Sequence, residues 1–305
     1  MYEKDILKDY IKNSELRIFS EKIKVRLSND LAKKYDNGIY DNYLKIMQKC
    51  IDMIDSLNIK YPGCAKPILY IYIVPDDNYS KLLNIPKIFD NGKCGGKPVK
   101  CYDIDGFNSA YGLSQNILEN TKNDEINISR FENQIHELSH LVLSQFFSKS
   151  QMISEGFAEA LPLFGLDIEN IFDEHRNAIV NLDDIQILTA KELIYSEKNH
   201  SFGEKELLPN KSCSFRLSYI SSYLFVRGCI ETIMKKYDFS KEKSIQLFLE
   251  ILKQSNYSNE WLIYDIADNL EISKDELLNG KNLQMSILNS LKNNNIKSRW
   301  NYEWK

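Results

Sequence analysis

The pentapeptide His136-Glu137-Leu138-Ser139-His140 holds two of the four histidines in this 305-residue chain. On a helix, His136 and His140 stand at i and i+4 and project from one face a turn apart. Two neutral imidazoles so placed can bind one Zn2+ at about 2.0–2.1 Å each. Glu137 lies about 100° round the helix from His136. It sits at the edge of the same face, where its carboxylate reaches a water on the metal rather than the metal itself. A lone helical histidine is ordinarily a hydrogen-bonded core residue. A pair bracketing a glutamate, in a chain so poor in histidine, is not explained that way. Metal binding alone does not require a glutamate at 137. The chemistry to expect is therefore hydrolysis by an activated water, with Glu137 as general base.

Zinc needs a third protein ligand, and a catalytic ion keeps its fourth position open. A glycine at 143 and a histidine at 146 would continue one known pattern, but the chain has Leu143 and Phe146. The next acidic residues lie in "QMISEGFAEALPLF". Fourteen residues separate His140 from Glu155, and eighteen separate it from Glu159. A helix, a short connection near "SKSQ" and a second helix bring Glu155 back over the first. Glu159, one turn on, shares its face. Residue types and spacing leave both as candidates. No cysteine lies near the motif, which argues against a four-ligand structural site.

The elements around the motif are legible from hydrophobic period. "ISRFENQIHELSHLVLSQFF" has apolar residues at Ile128, Phe131, Ile135, Leu138, Leu141 and Val142, which predicts one long helix. "EKIKVRL" alternates as a strand does. "YDNYLKIMQKCIDMIDSL" has helical spacing, and "PILYIYIV" (67–74) is a buried strand closed by Pro75. "VKCYDIDGFNSAYGLSQNIL" reads as two strands turning at Asp105-Gly106. From about Ile185 onward the chain reads as helices, at 214–237, 241–254, 259–270 and 282–293. The expected class is α+β: a small mixed sheet with an active-site helix, then a mainly helical carboxy-terminal part. The expected divisions are 1–66, 67–183 and 184–305.

Composition excludes several classes. The chain is 43% hydrophobic and 27% charged, with a net charge of −4. A nucleic-acid surface would need clustered excess Lys and Arg. The amino terminus, MYEKDILKDY, has early acids and no apolar core of a secretory signal. No apolar run approaches the roughly 18–20 residues of a membrane span. The compartment to expect is the cytoplasm, with neither nucleic acid nor membrane as partner. The six cysteines include no CxxC, so they are expected to be free thiols. A metal or redox pair at Cys94 and Cys101 is the alternative for those two. Lone His175 and His200 read as surface residues. Trp300 and Trp304 are expected to dock the tail.

HELSH followed by "ISEGFAEAL" resembles the gluzincin zinc peptidases, the thermolysin and aminopeptidase N branch. It is closest to a small bacterial group with HELxH and then a SEGxAE segment. The resemblance implies a zincin-like catalytic domain and one Zn2+ held by His136, His140 and Glu155. Glu137 would be the general base, and Glu159 a carboxylate that orients a ligand imidazole. The eighteen-residue interval to Glu159, which aminopeptidase N uses, keeps that residue as the alternative ligand. "SYISSYLFVRGCIETIMKKY" resembles the family's later helix and implies Tyr219 as hydrogen-bond donor to the oxyanion, with Tyr223 in reserve. Phe225 and Arg227 read as packing and helix-face residues. The resemblance spans residues 67–250. The chain lacks the "GAMEN" segment that anchors a substrate amine in aminopeptidase N. "NSAYGLSQ" (108–115) is expected as the edge strand against which a peptide pairs. The implied activity is endopeptidase or specialised peptide processing on a peptide or protein substrate. The alternatives are a zincin-like binding protein that no longer cuts, and a zinc hydrolase of a non-peptide substrate.

Overall fold

The computed structural model describes residues 12–62, 68–74, 97–99, 110–114, 128–147, 150–166, 187–199, 214–255 and 259–294. The chain divides into two compact units, Met1–Ser56 with Gly63–Leu141 and Leu57–Pro62 with Val142–Lys305. The expected divisions at 66/67 and 183/184 lie outside the described residues.

The first unit is built on a mixed sheet. Strands β1 (Ser14–Ile18), β2 (Ile23–Ser28), β3 (Leu69–Val74), β4 (Lys97–Val99) and β5 (Ala110–Ser114) take the order β1-β2-β3-β5-β4. The inner pairs β2/β3 and β3/β5 are parallel, and the outer pairs are antiparallel. The register sets Ile23 beside Leu69, Val25 beside Ile71 and Leu27 beside Ile73. All six are buried, forming one apolar row across the strands. Parallel strands cannot be joined by a hairpin. Helices α1 (Asn29–Asp36) and α2 (Asp41–Ser56) make up the crossover from β2 to β3. Helix α2 buries Tyr43, Leu44, Met47, Cys50 and Ile54. It is tied to the β1–β2 turn by Lys22, whose Nζ lies 2.6 Å from Asp52 and 2.8 Å from Asp55. Ser20 adds a 2.5 Å hydrogen bond to Gln48.

One expectation about the sheet is corrected. The segment 108–115 does contain a strand, β5, but that strand is not an edge. Lys97, Pro98 and Val99 pair with Gly112, Tyr111 and Ala110 and close the side of β5 away from β3. Among the described strands the edges are β1 and β4. Pro98 in β4 has no N–H to offer an added chain. The turn expected at Asp105-Gly106 lies outside the described residues.

The second unit is helical. Its elements are α4 (Gln151–Ala160), a π-helical turn (Leu161–Gly165), α5 (Ala190–Asn199), α6 (Ser214–Tyr237), α7 (Lys241–Gln254), α8 (Asn259–Leu270), α9 (Lys274–Asn279) and α10 (Asn282–Asn294). Helix α6 buries Leu217, Ile220, Leu224, Phe225, Val226 and Ile230 on all its sides. A helix apolar all round must be enclosed, and α6 packs against α4, α5, α7, α8 and α10. The α10 packing is close at Gly228, where a Cβ would lie 2.6 Å from Leu283 Cγ. Ser240 caps α7 and Ser273 caps α9, each accepting an amide from the first turn. Gln246 on α7 bonds both the amide and the carbonyl of Lys60, which holds the segment Leu57–Pro62 in this unit.

Cys50 and Cys229 are free and fully buried, as expected for core thiols. Burial pushes both thiols up, Cys50 to about 12, so neither presents a thiolate near neutral pH. The other four cysteines, His175, His200, Trp300 and Trp304 lie outside the described residues. Among the described residues no helix is long and apolar enough to cross a membrane.

Gly228→Ala should destabilise the chain by about 1–3 kcal/mol, the usual cost of overpacking, read as a lower urea midpoint. Adding Leu283→Ala should recover part of the loss, which a double-mutant cycle would register.

Candidate metal centre

The histidines lie on α3 (Ile128–Ser144). Ile135, Leu138 and Val142 are buried, so one stripe of the helix belongs to the core. His136, Glu137 and His140 are half-buried and lie off that stripe. Ser139, between them, is fully buried, and its hydroxyl donates to the Ile135 carbonyl at 2.5 Å. That bond satisfies the hydroxyl within the helix, leaving the face of the histidines to the imidazoles. The two rings stand 5.0 Å apart at 85°, an edge-on arrangement in which nitrogens of both can converge on one point. The helix ends at Ser144, three residues before the expected end. The amides of Phe146 and Phe147 both turn back to the Leu143 carbonyl, at 2.8 and 2.7 Å.

Helix α4 carries the acidic residues, and its placement is heavily determined. Ser150 is the N-cap, accepting from the Ile153 amide at 3.4 Å. Glu197, from α5, accepts from the amides of Gln151 at 2.6 Å and Met152 at 3.3 Å, and from the Ser150 hydroxyl at 3.2 Å. The first three amides of α4 therefore all have acceptors, where a helix start ordinarily leaves them open. In mid-helix, Gly156 lies directly on α6. A Cβ there would overlap the Ser222 carbonyl oxygen and sit 2.7 Å from Val226 Cγ2. After Ala160 the helix widens into the π turn. Pro162 has no N–H for the Ala158 carbonyl, and Leu166 donates to Leu161 across five residues at 2.9 Å.

These placements bring His136, His140 and Glu155 together. One ligand atom from each lies within 4.8 Å of the other two, and all three residues are half-buried. A tetrahedral zinc with 2.0–2.1 Å bonds sets its donors about 3.4 Å apart. The group is thus within reach of that geometry by side-chain adjustment, and two imidazoles with one carboxylate leave a fourth position free. The donor set fits a metal ion. Glu159 is not in the group. It is buried one turn beyond Glu155, and its charge is felt by the Tyr223 phenol.

The two candidate tyrosines differ in setting. Tyr219 is half-buried on α6. Tyr223 is fully enclosed, and its hydroxyl accepts from Arg227 Nη1 at 2.8 Å. Burial pushes the Tyr223 phenol up, Arg227 pulls it down, and the charges of Glu231 and Glu159 add to the rise. Phe225 is buried as expected. Arg227 is more than a helix-face residue, since it also pairs with Glu231 at 2.8 Å.

Comparison with models of known protein families, with curated proteins and with solved structures finds no match to this chain. Two residues that shape the centre escaped the sequence reading. Gly156 stands in the SEG triplet, but its backbone contact with Ser222 leaves no local trace in the sequence. Glu197 gives no local signal for its role. The neighbouring Thr189-x-x-Glu192 box, which does start α5 through bonds of 2.7 and 3.2 Å, is readable as a helix start.

Glu155→Gln should abolish retention of a divalent ion in equilibrium dialysis, whereas Glu159→Gln should weaken it by about 10–100-fold. The reverse ranking would exchange their roles. Gly156→Ala should cost at least about 1–3 kcal/mol in denaturant titration, because backbone rather than a mobile side chain meets the new methyl.

Proposed function

We propose that the chain is a zinc-dependent metallopeptidase with a zincin-like catalytic part of gluzincin type. Its expected setting is the cytoplasm, and its substrate a peptide or protein. The observation that carries the reading is the convergence of His136, His140 and Glu155, with a glutamate at 137 that metal binding does not need. The likeness of HELSH and "ISEGFAEAL" to the gluzincin pattern supports it. A zinc ion, when bound there, supplies a Lewis acid that polarises a carbonyl and acidifies water.

The chain's own residues supply the rest. His136 and His140 donate imidazole nitrogens and Glu155 a carboxylate. Glu137 takes a proton from the attacking water as its oxygen bonds to the carbonyl carbon. The same carboxyl passes that proton to the amine nitrogen as the C–N bond breaks. Tyr219 donates a hydrogen bond to the carbonyl oxygen as it gains charge, with Tyr223 held in the Arg227 network. Glu159 orients a ligand imidazole through that ring's second N–H. Without an amine-anchoring segment of the "GAMEN" kind, cleavage inside a chain or specialised processing is favoured over removal of the first residue.

The decisive comparison is wild type against Glu137→Gln on a peptide library, with metal content measured on both. Cleavage by wild type should vanish on chelation and return with zinc. The variant should keep its zinc and lose about 100- to 10,000-fold in rate, the contribution of a positioned general base. Equal cleavage by both proteins would remove Glu137 from its role. Zinc in both and cleavage by neither would favour a binding protein.

A further inference from the structure

We propose that Glu197 is a positioning residue for the third metal ligand, an inference that rests on the metal-centre reading above. Its carboxylate lies one helical turn before Glu155. It gathers three donors at the start of α4: the amides of Gln151 and Met152 and the hydroxyl of Ser150. The residue is badly placed for its own helix. It stands in the last turn of α5 (Ala190–Asn199), where the helix dipole disfavours a carboxylate. At the amino terminus of α4 the same charge meets the favourable end of a dipole. A residue that breaks the rule of its own element and satisfies that of its neighbour marks a contact between elements rather than a local preference.

Glu197, Gly156 and the Ser150 cap together fix where α4 begins and how it is rotated. The rotation turns the face shared by Glu155 and Glu159, and where α4 begins decides which of the two stands level with the histidines. Losing the Glu197 carboxylate frees the first turn of α4, and Glu155 follows immediately after that turn.

The test is zinc affinity by competition with a chromophoric chelator, on wild type, Glu197→Ala, Glu197→Gln and the control Glu192→Gln. The control weakens the start of α5 without touching α4. Glu197→Ala should bind zinc about 10-fold more weakly than wild type, and Glu197→Gln about 3-fold more weakly, with Glu192→Gln unchanged. The milder variant carries the test if the alanine protein does not fold. Unchanged affinity in the Glu197 variants, with only a lower melting temperature of the metal-free form, would overturn the positioning role while leaving the metal centre intact. An equal loss in Glu192→Gln would overturn it as well, by showing general destabilisation. A wild type that holds no zinc would overturn the metal-centre reading, and this inference with it.

Discussion

At Gly156 the backbone of α4 lies against that of α6 with room for a hydrogen and nothing more. Opposite it is Ser222, fully buried and small enough to let two helices approach this closely. The contact fixes the rotation of α4 about its axis, because only one residue of the helix lacks a side chain where the backbones meet. Glu155 immediately precedes that glycine in the chain. The direction of its carboxylate is therefore set by its neighbour's missing methyl as much as by its own rotamer. The ends of α4 are held too, by the Glu197 carboxylate at the start and the π turn after Ala160.

Beyond that turn the packing becomes electrostatic. Phe164, in the turn, lies 4.7 Å under the Arg227 guanidinium and 5.2 Å from the Lys241 ammonium. Arg227 in turn bonds Tyr223 and Glu231. Burying a guanidinium is costly unless its donors are met, and here a carboxylate, a phenol and a ring face meet them. The arrangement ties α6 to the segment that leaves α4. It keeps Tyr223 neutral and occupied, whereas Tyr219, a turn earlier, stays half-buried.

Much of this was legible in the sequence where the physics is local. The long helices α3, α6, α7, α8 and α10 carry unbroken apolar periods, and their positions follow from those periods. The strands β2 and β3 are alternating or β-branched runs. Short elements such as α1, α9 and β1 have too few residues for a period to stand out. Strand order is not a local property at all. Residues 108–115 have the character of a strand, and the two-strand reading of 99–118 offers it a partner, but that β3 closes its other side is not visible in the local pattern. The choice between Glu155 and Glu159 was likewise closed to spacing, since residues four apart on a helix point the same way. It turns on where α4 sits along its own axis, which Glu197 and Ser222 set from far along the chain.

Glu155 follows His136 by only nineteen positions, whereas the helix that carries Ser222 lies wholly downstream. A chain made from its amino terminus completes the two histidines and the glutamate before any of α6 exists. Closing so short a loop costs little entropy, and local contacts of this kind form early. The three residues that could hold an ion are thus all made before the helix whose backbone fixes the direction of one of them.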